Sequence, residues 1–266
     1  MMLRVLNARY DIAGRALVAG ASLSVAPGEV VAIAGPNGAG KSTLMKLLAG
    51  ELALSGGKIE LNQKPLAGWR TAERACMLAV LPQESKLGFA FTALEVALFG
   101  RYPHRHGLVG GDDRAIALLA LAMADATHLA ERDFTTLSGG EKARVQLARV
   151  LAQLWHPAQV AGARRPRFLL LDEPTAALDL KHQHTTLATA RRYARDQGDL
   201  GIVAVLHDLN LAAQYADRVV LMRQGAIVAD GAPHSILTAQ MVEAVFDLPV
   251  RVLQHPDHGA PLIAAR

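Results

Sequence analysis

Val30-Val31-Ala32-Ile33-Ala34-Gly35-Pro36-Asn37-Gly38-Ala39-Gly40-Lys41-Ser42 runs from a continuous apolar stretch into a glycine-rich loop and on to a polar helix start. An uninterrupted run of apolar residues reads as a strand covered on both faces, as in a parallel sheet. The glycines let backbone N–H groups turn inward around an anion, and the following helix adds its positive end. Residues 42–49 read as that helix, with Gly50 as its stop. The loop from Gly35 to Ser42 matches the Walker A pattern, in which Lys41 reaches the β- and γ-phosphates and the Ser42 hydroxyl coordinates Mg²⁺. A chance glycine turn would lack the buried strand before it and the helix after it. By itself the loop does not separate transporters from GTPases or kinases.

Working outward, Phe168-Leu169-Leu170-Leu171-Asp172-Glu173 is a second buried-strand run, and it ends in two carboxylates. Asp172 is expected at the strand tip, where it can hold Mg²⁺ directly or through water. Glu173, one residue on, can polarise an attacking water as general base. Residues 202–206 form another such run, ending at His207. Residues 3–10 and 21–25 alternate as strands do, and Pro27-Gly28-Glu29 reads as a turn. Residues 58–61 suit a strand before a polar turn at 62–65. Residues 219–222 and 226–228, joined by Gln224-Gly225, suit a terminal hairpin. Between 85 and 155 the chain turns Ala/Leu-rich with helical periodicity, broken at 101–113 by a loop rich in Gly and His; this reads as a helical insertion. Buried strands alternating with helices argue for an α/β core with ligands at the carboxyl ends of the strands.

Composition excludes more than it assigns. With 266 residues, 51% hydrophobic and 20% charged, the chain suits a globular protein with a sizeable core. A net charge of +4 with 5% aromatics gives no basic, aromatic-interleaved stripe, so no nucleic-acid partner is expected. The single cysteine, Cys76, excludes an internal disulfide and reads as a buried structural thiol. Residues 1–11 have no apolar core of a secretory signal. The most apolar stretch, 116–124, falls short of the roughly 18 residues that span a bilayer, so any membrane role is expected through a partner. His104 with His106, and His182 with His184, are spaced by two and joined by no cysteine or carboxylate; solvated positions are expected rather than a metal site. Arg164-Arg165-Pro166-Arg167 reads as a solvated strand entry.

Between the two phosphate-chemistry segments lies Leu137-Ser138-Gly139-Gly140-Glu141. In that order the three segments resemble the ATP-binding-cassette (ABC) ATPases over essentially the whole chain. Ser138-Gly139-Gly140-Glu141 is similar to that family's signature motif, whose usual last residue is Gln. The resemblance implies an α/β fold: a P-loop NTPase (RecA-like) core with a small antiparallel β subdomain and an inserted α-helical subdomain at 85–155, all within one ABC-type domain at 1–266. It implies ATP and Mg²⁺ as cofactors, with Tyr10 stacking on adenine and Gly35, Pro36, Asn37, Gly38, Ala39, Gly40, Lys41, Ser42 and Thr43 around the phosphates. Ser42, Gln83 and Asp172 would serve the Mg²⁺. Gln83 matches the Q-loop that senses the γ-phosphate and faces the permease, and His207 matches the switch histidine. Glu173 and His207 would be catalytic. Ser138, Gly139, Gly140 and Glu141 would contact the nucleotide of the opposite subunit of a homodimer, and Ala177-Leu178-Asp179 matches the D-loop, which crosses the dimer interface. The further partners implied are two integral-membrane permease subunits and, indirectly, a periplasmic haem-binding protein. The implied location is peripheral, on the cytoplasmic face of the bacterial inner membrane.

Within the family the chain resembles the importer ATPases for iron–siderophores, vitamin B12 and haem. Leu129-Ala130-Glu131-Arg132 before the signature, the long connection from Leu154-Trp155-His156-Pro157 to Arg164, and Val252-Leu253-Gln254-His255-Pro256-Asp257 are similar to the haem importers in particular. A soluble ABC ATPase of DNA repair or translation would show long coiled-coil insertions or two cassettes, and neither is present. A P-loop nucleotide kinase would predict no role for Ser138.

Overall fold

The opening residues alternate between buried and exposed positions, and they pair as an antiparallel hairpin of β1 (Leu3–Ile12) and β2 (Arg15–Val25). The computed structural model describes residues 1–83, 90–104, 111–155, 165–176 and 178–266. After the hairpin come β3 (Val30–Ala34) and α1 (Lys41–Ala49), and α1 stops where Gly50 turns left-handed at φ 71°. β4 (Gly56–Leu61) and the short β5 (Lys64–Pro65) join β1 and β2 in a four-stranded sheet ordered β2-β1-β4-β5. These strands pair antiparallel throughout.

α2 (Thr71–Ala75) leads to β6 (Leu78–Leu81). A helical stretch follows, with α3 (Ala93–Phe99), α4 (Gly111–Met123) and α5 (Gly139–Gln153). The chain then alternates through β7 (Arg167–Asp172), α6 (Leu180–Gln197), β8 (Leu200–Val205), α7 (Leu209–Tyr215) and β9 (Arg218–Arg223). β10 (Ala226–Gly231), α8 (Pro233–Ile236), α9 (Ala239–Phe246), β11 (Val250–Gln254) and β12 (Pro261–Ala265) complete it.

The central sheet has six strands in the order β10-β9-β3-β8-β7-β6, parallel except for β10. Every residue of β3 and β8 is buried, which accounts for their uninterrupted apolar sequence. Side chains alternate between two cores. Val31, Ile33, Leu170 and Val205 face the core shared with α1 and the four-stranded sheet, whereas Ala32, Ala34, Leu171 and Ala204 face the one shared with α3, α4 and α5.

Several expectations need correction. Arg167 is not solvated but fully buried, because it begins β7 where the end of α5 and the Asp199 loop converge. Its guanidinium donates to the Leu154 carbonyl, to Gln197 Oε1 at 3.2 Å and to Asp199 Oδ1 at 2.5 Å. The described histidines of the two spaced pairs are half-buried and bonded rather than solvated. His184 Nδ1 lies 2.8 Å from the Tyr215 hydroxyl, and His182 Nδ1 lies 2.6 Å from Asp179 Oδ1. His104 Nε2 lies 2.7 Å from the Gln153 carbonyl.

Cys76 is half-buried rather than buried, and burial pushes its thiol pKa up, away from nucleophilic character. The hairpin β9–β10 is not terminal. β11 and β12 form a further hairpin, joined to α7 by two Asn210 amide bonds to the Ile263 backbone, at 2.7 and 3.2 Å. Among the described residues no helix is long and apolar enough to cross a membrane. The expected start of the insertion at 85, His106 with most of its loop, residues 156–164 and Ala177 lie outside the described residues.

Candidate nucleotide site

β3 ends at Ala34 and α1 begins at Lys41, so residues 35–40 cross the carboxyl edge of the central sheet. Gly40 has φ 97°, and a Cβ there would sit 2.4 Å from the Leu17 carbonyl oxygen; both the angle and the space demand glycine. The loop is pinned from outside, because the Gly225 N–H donates to the Ala39 carbonyl at 3.0 Å. Lys41 is only 5% exposed, and its Nζ donates to the Gly35 and Pro36 carbonyls at 2.8 and 3.0 Å. Burial lowers its pKa, while Glu173 and Asp172 pull the other way, so those carboxylates lie within electrostatic reach of the ammonium.

Ser42 and Thr43 are half-buried on the first turn of α1, and Asn37 and Gly38 are exposed. Arg15, Leu17, Asn37, Gly38, Arg223 and Gly225 help line a cleft of about 540 Å³ beside the loop. Tyr10 pairs with Val18, next to Leu17, and is half-buried against the α1 core rather than lining that cleft.

Strand order assembles the acidic side. β8, β7 and β6 are neighbours, so the residues just past their ends meet, with Glu173 in the middle. Gln83 Nε2 donates to Glu173 Oε2 at 2.8 Å from one side, and His207 Nε2 lies 2.7 Å from Glu173 Oε1 on the other. Glu173 adopts φ 51°, a left-handed conformation uncommon for a side chain of its size.

Asp172 Oδ1 is buried with no hydrogen-bond partner. Burial, then the neighbouring Glu173, raises the Asp172 pKa. An orphaned carboxylate oxygen beside the Ser42 turn suits a hard, oxygen-seeking divalent cation, whose charge would reverse that penalty. The donor set of Asp172, Ser42 and Gln83 therefore fits Mg²⁺.

Ser138 starts α5 as its N-cap and forms a capping box with Glu141. Its N–H and its hydroxyl both donate to Glu141 Oε2 at 2.8 Å, and the Glu141 N–H returns to Ser138 Oγ at 3.3 Å. These bonds hold the Glu141 carboxyl below the ordinary range. A Cβ on Gly139 would meet open space, so the helix N-terminus presents bare backbone outward. Among the described residues, Ser138 and Glu141 bond each other and Arg132, and make no hydrogen bond to the loop, Gln83, Glu173 or His207. Asp179 caps α6 through the His182 N–H at 2.9 Å, and Leu178 packs within 3.6 Å of where a Gly140 Cβ would stand. The structure thus gathers the loop, Gln83, Asp172, Glu173 and His207 into one edge and leaves the signature residues as a separate cap.

Sequence reading assigned no role to Arg132, whose Nη1 lies 3.0 Å from Glu141 Oε1, or to Arg15 and Arg223 beside the loop. An arginine nine residues ahead of a capping glutamate was the available signal for the first.

A central parallel sheet with this loop and carboxylate edge defines a P-loop nucleoside triphosphatase carrying a helical insertion. The chain belongs to the ABC transporter family, whose sequence profile matches residues 18–176. It is 53% identical over 262 residues to the hemin import ATP-binding protein HmuV of Gloeobacter violaceus, covering 98% of this chain and 93% of that protein. The protein of the same name in Pseudomonas fluorescens is 50% identical over 265 residues, with complete coverage of both chains. An inward-facing ABC transporter of the metal-chelate type superposes with a TM-score of 0.81 at 28% identity, covering 100% of this chain and 97% of that one. The dimeric ATP-binding cassette MJ0796 with ADP and Pi gives 0.74 at 26%, covering 87% and 98%.

Proposed function

We propose that the chain is the energy-coupling ATPase of a bacterial haem importer. It would work as a homodimer on the cytoplasmic face of the inner membrane, docked on two permease subunits and served indirectly by a periplasmic haem-binding protein. What carries the substrate assignment is identity of about half, over nearly the whole chain, to proteins named for hemin import. Haem is the transported substrate and passes through the permease without touching this subunit.

In the cycle, two ATP molecules lie between the loop of one copy and Ser138 of the other. Lys41 leaves its own loop carbonyls for the β- and γ-phosphates, and Tyr10 stacks on the adenine. Asp172, Ser42 and Gln83 would hold Mg²⁺, which would neutralise phosphate charge. Glu173 takes the proton of the attacking water, and His207 orients the γ-phosphate against it. Glu173 is engaged by both Gln83 and His207, so Gln83 moves away when a water takes its place beside Glu173. Tighter binding of the closed dimer to ATP than to ADP gives the cycle its direction.

The test is ATPase stimulation in vesicles carrying the cognate permease and binding protein. Haem should stimulate, and cobalamin or a ferric siderophore should not. A second reading, another metal chelate as cargo, draws on the likeness to the metal-chelate type transporter, and stimulation by one of those chelates alone would favour it.

A further inference from the structure

We propose that Arg132 is a charge-compensating positioning residue, which lets a carboxylate at position 141 cap a helix that must face a phosphate. The inference rests on the reading above, in which Ser138 and the start of α5 meet the nucleotide held by a second copy. A capping box needs only an acceptor at its third helical position, and glutamine supplies one as well as glutamate. The negative charge of Glu141 is therefore not required by the cap. It favours the free helix N-terminus, but it competes with an arriving phosphate for the same N–H groups and repels it at short range.

The observed allocation of bonds resolves the conflict. Glu141 Oε2 takes both Ser138 donors, while Oε1 is turned to Arg132 Nη1 at 3.0 Å. The Arg132 backbone is pinned on both sides: its N–H donates to the Leu129 carbonyl at 2.8 Å, and its carbonyl accepts from the Ala93 N–H at 2.9 Å. The guanidinium is thus delivered from a fixed point. Arg144, the other cation near Glu141, is committed to the Asp125 carbonyl at 2.7 Å and its carboxylate at 3.2 Å. Among the described residues, Arg132 is the cation that forms an ion pair with position 141. Its side chain is 49% exposed, so the effect is modest and screened by salt.

The experiment measures steady-state ATPase, as kcat and KM for ATP, for Arg132→Ala and Arg132→Gln in two backgrounds, Glu141 and Glu141→Gln. With Glu141 present, kcat/KM should fall about three- to fivefold, chiefly through KM, and less at high salt. With glutamine at 141 the same substitutions should change kcat/KM by less than about twofold, because no charge is left to neutralise. Arg132→Lys should retain most of the parental value. An equal loss in both backgrounds, or no loss with Glu141, overturns the proposal; a purely structural arginine would give the first result. Ser138→Arg serves as the separate control. If it hydrolyses ATP normally, the composite-site reading has failed, whatever Arg132 does.

Discussion

Glu173 stands between two partners that cannot all be satisfied once a water must be activated. Gln83 holds one carboxylate oxygen at 2.8 Å and His207 the other at 2.7 Å, so each oxygen already has a partner. Glu173→Gln keeps the shape and removes the proposed base. ATP should still bind, turnover should drop by about 10²–10⁴-fold, and a dimer should accumulate on size exclusion. A variant cleaving ATP at the parental rate would remove Glu173 from the role. Its neighbour carries the opposite kind of tension. Burial raises the Asp172 pKa above its unfolded value, so the folded state holds the proton more tightly. By linkage, that makes the fold less stable as pH rises from the unfolded pKa to the folded one, and the penalty is fully present above the folded pKa. Asp172→Asn should relieve it, raising the Tm of the free protein by about 2 °C, while losing the further Tm rise that Mg²⁺ with ATP gives the parent. A fall in the Tm of the free variant would contradict the account. The type of residue at both positions was legible from the strand run ahead of them. The contacts with Gln83 and His207 were not, because they depend on strands β6, β7 and β8 lying side by side.

At the scale of elements, the legible parts were those whose burial is written as local pattern. The all-apolar β3 and β8 and the glycine-terminated α1 announce themselves within a few residues. What stayed hidden was set by partners distant in the chain. Arg167 reads as a surface charge until Gln197 and Asp199 are brought against it, and His184 reads as solvated until Tyr215 arrives from α7. The β11–β12 hairpin has mostly exposed or half-exposed residues, so its sequence carries little alternation, and its anchorage combines buried Val250 with one asparagine of α7. Arg167 also gives the element-scale prediction. Arg167→Met removes a fully buried cation and strands Asp199 and the Leu154 carbonyl. A loss of about 3–5 kcal/mol is expected, read as a lower urea midpoint with an unchanged slope. Because β7 carries Asp172 at its far end, the protein that remains folded should bind ATP with an unaltered KM. A midpoint within error of the parent would mean the buried arginine is not stabilising the start of β7.

For the whole molecule, the decisive fact is a separation. The loop, Asp172, Glu173, Gln83 and His207 gather at one sheet edge, while among the described residues the side chains of Ser138 and Glu141 bond each other and Arg132 and none of that edge. On the proposed reading, this exposed helix N-terminus with bare glycine backbone receives the phosphate held by a second copy, which the symmetry of a homodimer would supply. Two consequences can be measured. Activity per chain should rise with protein concentration before reaching a plateau. The second consequence is complementation between inactive variants. Glu173→Gln spoils the site whose loop it shares a chain with, and Ser138→Arg spoils the site on the opposite chain. In a mixed dimer both lesions fall in the same site, and the other site is built from an intact loop edge and an intact Ser138. Random pairing makes half the dimers mixed, each with one of its two sites whole, so an equimolar mixture should recover up to about a quarter of the parental rate. Recovery no greater than the summed rates of the two variants alone would mean that each chain hydrolyses ATP by itself.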